Sequence, residues 1–187
     1  MNFYFIVGPQ AVGKMTVGQE IARLTGAKLF YNHMTIDLVS QFFDYGTKEG
    51  RQLVKEFRSL LFNQVVKTPN YPGFIFTYVC DFNSTDGPEF IYTTCENFNR
   101  NGHTSYIIEL NASYSIRKAR NVTANRMHYK LLKRNKEQSE KVFDDLEKNM
   151  RTTSYKDEIT WDKYLRIDNE ELSPIDVAKY VIDYFKI

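Results

Sequence analysis

With 187 residues, 42% of them apolar and 26% charged, the chain has the composition of a soluble globular protein and the length for one well-buried domain over 1–187. A formal net charge of +2 is too small to argue for nucleic acid by itself. Cys80 and Cys95 are the only cysteines, form no Cys-x-x-Cys pair and read as reduced thiols. No apolar run approaches the ~18 residues of a membrane span and the start lacks a basic signal-peptide region, so a cytoplasmic protein with no membrane partner is expected.

The first element is the apolar, β-rich run Phe3-Tyr4-Phe5-Ile6-Val7. It leads into Gly8-Pro9-Gln10-Ala11-Val12-Gly13-Lys14-Met15-Thr16 and then into a helical stretch, Val17 to Leu24. Lys28 to Tyr31 reads as a short second strand ending at Asn32-His33. The spacing of Ile36, Leu38-Val39 and Phe42-Phe43 predicts a helix over 35–43, which Asp44-Tyr45-Gly46-Thr47 breaks. Leu53, Phe57, Leu60-Leu61 and Val65 then predict a long amphipathic helix over 48–67.

Past the breaker cluster Pro69 to Gly73, Phe74 to Cys80 is a continuous apolar run closed by Asp81. Such a run suits a strand buried on both faces of a parallel sheet. A helix over about 88–100, a strand from Thr104 to Leu110 and helices from Ser113 to Val122 and Ser139 to Met150 follow. Tyr164 to Asp168 is the last strand, and Ser173-Pro174 opens a final helix reaching about Phe185. Strands alternating with helices predict a three-layer α/β fold, five parallel strands with right-handed crossovers and helices on both faces. Ligands bind beyond the carboxyl ends of such strands. That edge carries the 8–14 loop, Asn32-His33, Asp81, Leu110-Asn111 and Asp168-Asn169.

Strand, glycine loop and helix form the context in which Gly-x-x-x-x-Gly-Lys binds phosphate. Gly8 and Gly13 let the backbone turn tightly and aim its N–H groups at phosphate oxygens. The helix start adds unpaired donors and a positive dipole end, and Lys14 brings a mobile charge to the outer phosphates. Gly8, Pro9, Gln10, Ala11, Val12, Gly13, Lys14, Met15 and Thr16 are therefore the candidate nucleotide-binding residues. Met15 stands where a Ser or Thr hydroxyl commonly ligates Mg²⁺; a soft thioether cannot replace it. Mg²⁺ keeps several waters, which leaves room for a metal held between ATP and water-bridged carboxylates.

This stretch resembles the loop of adenylate-kinase-type nucleoside monophosphate kinases, which read Gly-Lys-Gly-Thr where this chain has Gly13-Lys14-Met15-Thr16. The wider group of small P-loop kinases, shikimate and chloramphenicol kinases included, is similar in size and layout. The resemblance implies a P-loop NTPase fold, ATP and Mg²⁺ as cofactors, and a basic lid that closes over the nucleotide.

Asp81, at the end of the third strand, is the leading candidate to orient Mg²⁺ through water; its alternative role is the base that accepts the acceptor's hydroxyl proton. Arg117 to Lys136 also carries Lys118, Arg120, Arg126, Lys130, Lys133 and Arg134, and no acid occurs from Leu110 to Lys136. Positive groups of this kind suit phosphoryl transfer, and a solvated helix face is the plain alternative. The resemblance makes 117–136 the lid, matches Arg117 to the arginine packed on adenine, and matches Arg120 and Arg126 to phosphate clamps. His128 and Tyr129 give the same patch a second use on nucleic acid.

The acceptor should lie at the second strand's end and the helices of about 33–68, with His33, Asp37, Arg51 and Arg58 as candidate contacts. Shikimate-type kinases carry acids just after that strand, and Asn32, His33, Met34 and Asp37 stand there instead, so the acidic pair is missing, which argues against shikimate. The expected activity is ATP-dependent phosphoryl transfer to a small molecule, either a metabolite, a nucleotide or an antibiotic. The alternative is a nucleotide-binding module or a nucleic-acid end kinase that uses the basic lid; nucleic acid is not favoured, given the modest net charge. A GTPase switch is disfavoured because Asn135-Lys136-Glu137-Gln138 lacks the Asp of a guanine-reading motif.

Overall fold

The computed structural model describes residues 1–121 and 136–187. Its strands are β1 (Asn2–Val7), β2 (Lys28–Tyr31), β3 (Gly73–Thr77), β4 (Thr104–Asn111) and β5 (Tyr164–Asp168). Among the described residues the helices are α1 (Lys14–Thr25), α2 (His33–Val39), α3 (Lys48–Lys67), α4 (Asp86–Arg100), α5 (Tyr114–Asn121), α6 (Lys136–Asn149) and α7 (Pro174–Phe185). The sheet is open and parallel throughout, in the order β2-β3-β1-β4-β5.

β1 sits in the middle, with Phe5 level with Phe76 of β3 and Ile107 of β4. Its side chains alternate between two cores, as the two-residue period of a strand requires. Phe3, Phe5 and Val7 pack with Phe62 of α3 and Ile91, Cys95 and Phe98 of α4. Tyr4 and Ile6 pack with Val17 and Ile21 of α1 and Val177, Ala178 and Val181 of α7. Both faces are thus covered, which explains why β1 and β3 read as unbroken apolar runs. Phe3 and Phe98 stack with ring centroids 3.8 Å apart, one contact within a cluster of phenylalanines that fills the α3/α4 side.

Two elements end three or four residues before the sequence expectation. α2 stops at Val39, and Phe42 and Phe43 fall in the following turns, both donating their backbone N–H to the Val39 carbonyl. Phe42 is 74% exposed, so the apolar spacing that predicts helix through 43 continues a stripe that buries nothing there. β3 closes at Thr77, although the Tyr78 N–H still donates to the Ile6 carbonyl. α3 and α7 begin as their caps dictate: the Thr47 hydroxyl accepts from Gly50 N–H, and that of Ser173 from Asp176 N–H. Among the described residues no helix is long and apolar enough to cross a membrane.

Candidate functional site

The carboxyl end of β1 runs directly into the glycine loop. Gly8 has φ +135°, and a Cβ there would lie 2.3 Å from the Leu110 carbonyl oxygen of β4. Only glycine fits. Gly13, at φ +108°, and Ala11, at φ 62°, are also left-handed, so the loop turns repeatedly around one concavity. Gly13 caps α1 with no side-chain hydrogen bond to its amides. Lys14 Nζ reaches back and donates to the carbonyls of Gly8 and Pro9, each at 2.6 Å. The Thr16 hydroxyl donates to the Gly13 carbonyl at 2.8 Å, and Met15 is buried at the loop's foot.

The loop is held from behind by the segment that follows β5. Asn169, buried, donates from Nδ2 to the Val12 carbonyl at 2.8 Å. Arg120 Nη1 donates to the same carbonyl at 3.2 Å, and its Nη2 to the carbonyls of Asn169 and Glu170. The sequence reading places Asn169 at the sheet's edge without a role. No local signal marks it, because its partner lies across the fold.

A cleft of about 1160 Å³ opens above the loop. It is lined by Gln10 to Val17, by Tyr31, Asn32, His33 and the turn from Phe42 to Gly46, and by Tyr78, Asp81 and Arg120. Asp81 Oδ1 accepts from the backbone N–H of Asn83 at 3.0 Å and of Arg151 at 3.3 Å. Arg151 pins this loop further, donating from Nη2 to the Phe82 carbonyl and from Nε to Asn83 Oδ1, while Glu158 takes its guanidinium at 2.6 and 2.7 Å. Burial pushes the Tyr78 phenol up to about 12 and, with the neighbouring Asp81, the Cys80 thiol up to about 12, so neither is a nucleophile at neutral pH.

Other candidates stand elsewhere. Arg117 is 5% exposed and does not line the cleft: both Nη atoms donate to the Glu147 carboxylate, at 2.8 and 2.6 Å, and its guanidinium lies over Phe143. Arg58 is buried behind Asn32, donating from Nη2 to Asn32 Oδ1 at 2.6 Å and from Nε to Thr35 at 3.1 Å; desolvation lowers its pKa. Arg51 does not itself line the cleft, but donates to the carbonyl of Gly46, which does. His33 lines the cleft and has Nδ1 3.3 Å from Asp37 Oδ1, while Asp37 itself does not line it. Arg126, with Lys130, Lys133 and Arg134, lies outside the described residues, as does most of the expected lid.

No protein-family model matches the sequence, and neither does any curated protein. Solved structures do match over nearly the whole chain. A kinase-designated protein from Chloroflexus aurantiacus is 12% identical, with 99% of this chain and 96% of that one covered, at a TM-score of 0.64. The tunicamycin resistance protein of Deinococcus radiodurans is 12% identical, with 100% and 96% covered, at 0.59. Shikimate kinase from Acinetobacter baumannii, solved with shikimate, is 16% identical, with 99% and 92% covered, at 0.57. The chain has the fold of the small P-loop kinases.

Proposed function

We propose that the chain is a single kinase domain that transfers the terminal phosphoryl group of ATP to a small-molecule acceptor. The observation that carries this is the loop from Gly8 to Thr16: two left-handed residues, Ala11 and Gly13, an α1 start without a side-chain cap and Lys14 line one cleft. Repeated backbone N–H groups beside one ammonium are the donors and the charge that a polyphosphate chain calls for. Lys14, exchanging its loop carbonyls for phosphate oxygens, would neutralise charge on the transferring group. Arg120 fits the same task from the β5 side, and Arg126 is proposed as its partner in the lid of 117–136. The helices of 33–68 would hold the acceptor against the outer phosphate.

Bound Mg²⁺ would supply positive charge to offset that of the phosphates. The residues fit a water-clad ion better than a protein cage: among the described residues no three carboxylate, histidine or cysteine side chains gather, and Asp81 reaches the cleft from a fixed loop. Asp81 is accordingly assigned to the metal's water shell rather than to direct ligation. Closing the lid would exclude water, which competes with the acceptor for the phosphoryl group.

The test is ATP consumption across a panel of hydroxyl-bearing compounds, with Lys14→Ala as control. One acceptor should stimulate turnover, and the variant should lose it by about 10²–10³-fold while its circular dichroism is unchanged. Tight ATP binding without transfer to any acceptor would favour the binding module. Full activity in Lys14→Ala would remove the loop from the chemistry.

A further inference from the structure

Asn32 departs from the habit of its position. It stands at the N-cap of α2, where an asparagine oxygen ordinarily accepts an amide of the first helical turn, yet no such bond forms. Its Oδ1 is taken from another helix, by Arg58 Nη2 of α3 at 2.6 Å. The backbone is held too: the Asn32 N–H donates to the Thr77 hydroxyl at 3.2 Å, and its carbonyl accepts from Arg58 Nη2 and from the Thr35 hydroxyl, each at 3.3 Å. Arg58 is buried, and its partners among the described residues, Asn32, Thr35 and the Phe76 ring, are all neutral.

This arrangement fixes which way the amide faces. A guanidinium only donates, so the oxygen of Asn32 is the end turned to Arg58; a flipped amide would set N–H against N–H. The other end, Nδ2, carries the two N–H donors. Asn32 lines the cleft and Arg58 does not. Among the described residues Nδ2 meets no acceptor, and it is not sealed from solvent either. The Asn32 side chain therefore offers a molecule in the cleft a donor held in one orientation. An amide also takes up no proton at neutral pH, so Asn32 orients a ligand and leaves any hydroxyl proton to another group.

We propose that Asn32 selects the phosphoryl acceptor by donating from Nδ2 to one of its oxygens, with Arg58 as the positioning residue that keeps the amide turned. The inference rests on the phosphoryl-transfer reading for what the bound molecule undergoes, but the donor preference is measurable on its own. The oxygen in question is one with a lone pair to give: a ring ether, a carbonyl, a hydroxyl or an acid oxygen. A molecule with N–H or C–H at that point leaves the fixed donor unmet, and a site built on such a donor rejects it.

Tetrahydropyran-4-ol and cyclohexanol, which differ only in a ring oxygen, are the probes. Their binding to the full chain, with Mg²⁺ and a non-hydrolysable ATP analogue present, is followed in proton–nitrogen correlation spectra of the asparagine side-chain amides. The Asn32 signals are assigned by their loss in Asn32→Asp. The ring ether should bind at least about fivefold more tightly than the carbocycle and should move an Asn32 Nδ2 proton downfield. Asn32→Asp keeps the size of the side chain and an oxygen on Arg58 but turns the donor into an acceptor, so the ratio should fall to about one or below. Arg58→Lys loses the planar fork and should reduce the ratio at least about twofold, whereas a purely structural Arg58 would weaken both probes alike. Equal binding of the two alcohols, an Asn32 signal indifferent to both, or a ratio unchanged in Asn32→Asp would overturn the proposal, and equal weakening in Arg58→Lys would overturn the part given to Arg58. Calorimetry with the ATP analogue alone separates the two ideas: no heat there, with the ring-ether preference intact, removes the kinase reading and leaves the donor site.

Discussion

At the scale of single residues, Asn169 decides how firmly the glycine loop is held. Its Nδ2 donates to the Val12 carbonyl, and its own carbonyl receives Arg120, so one buried amide joins the β5 end, the α5 arginine and the loop. Asn169→Ala removes one of two donors to the Val12 carbonyl and should cost about 1–2 kcal/mol in stability. Because the loop then loses its fixed shape, the KM for ATP should rise several-fold while the KM for the acceptor stays level. An equal rise in both would mean that the residue merely stabilises the fold. Gly8, Gly13 and Lys14 are legible in the sequence because spacing and backbone freedom are local properties. Asn169 and Arg151 are not, since each acts through partners 157 or about 70 residues away. Arg117 shows the reverse: its place in a basic run suggests a ligand contact, yet its neighbour in space is Glu147, beyond the acid-free stretch.

At the scale of elements, α5 and α6 flank the segment 122–135 and are clasped by that Arg117–Glu147 pair. Arg117→Met keeps the apolar contact with Phe143 but leaves the carboxylate without its fork, and should cost about 2–4 kcal/mol. Urea denaturation measures the loss, and hydrogen exchange should localise it to 136–149. A uniform rise in exchange would show that the clasp belongs to the whole core. The stretch leaving α6 is tied down by Arg151 and by Glu109, which accepts from the Ser154 amide and hydroxyl and from the Tyr164 hydroxyl. Hydrogen bonds from Arg151 hold the Glu158 carboxyl below its ordinary value of 4.5. A lowered folded-state value means that Glu158 stabilises the fold above the unfolded value and loses that contribution as pH falls through the folded one. Glu158→Gln should therefore be less stable than the parent at neutral pH, with the gap closing as the pH falls from 4.5 through the lowered folded-state value. Denaturant midpoints measured across pH check this; a gap that persists in acid would assign the effect to packing. α3 and α7 are legible to the residue because Thr47 and Ser173-Pro174 are start signals in themselves. The end of α2 is not, because Ser40 to Phe43 keeps helical spacing with no helix-breaking residue.

At the scale of the molecule, the sheet order follows from the alternation of strands and helices, and that alternation is what the sequence displays most openly. β1 is buried on both faces and sits between β3 and β4, so its loop emerges at the middle of the carboxyl edge, where the outer strands' ends can reach a common ligand. What the sequence hides is which loops lean on one another, for that depends on side chains meeting across the edge. A ligand that bridges those loops should stabilise the folded state as a whole. At a free concentration of a hundred times its dissociation constant, Mg²⁺-ATP should add about 2.7 kcal/mol by mass action. For a chain in the range of 150–250 residues that corresponds to a rise in melting temperature of roughly 5–11 °C. The rise should be absent in Lys14→Ala and reduced in Asn169→Ala, since the first removes the charge and the second loosens the cradle. Differential scanning fluorimetry with ATP titrated at fixed magnesium gives all three curves. A parent chain that melts at the same temperature across the titration would place polyphosphate outside this cleft.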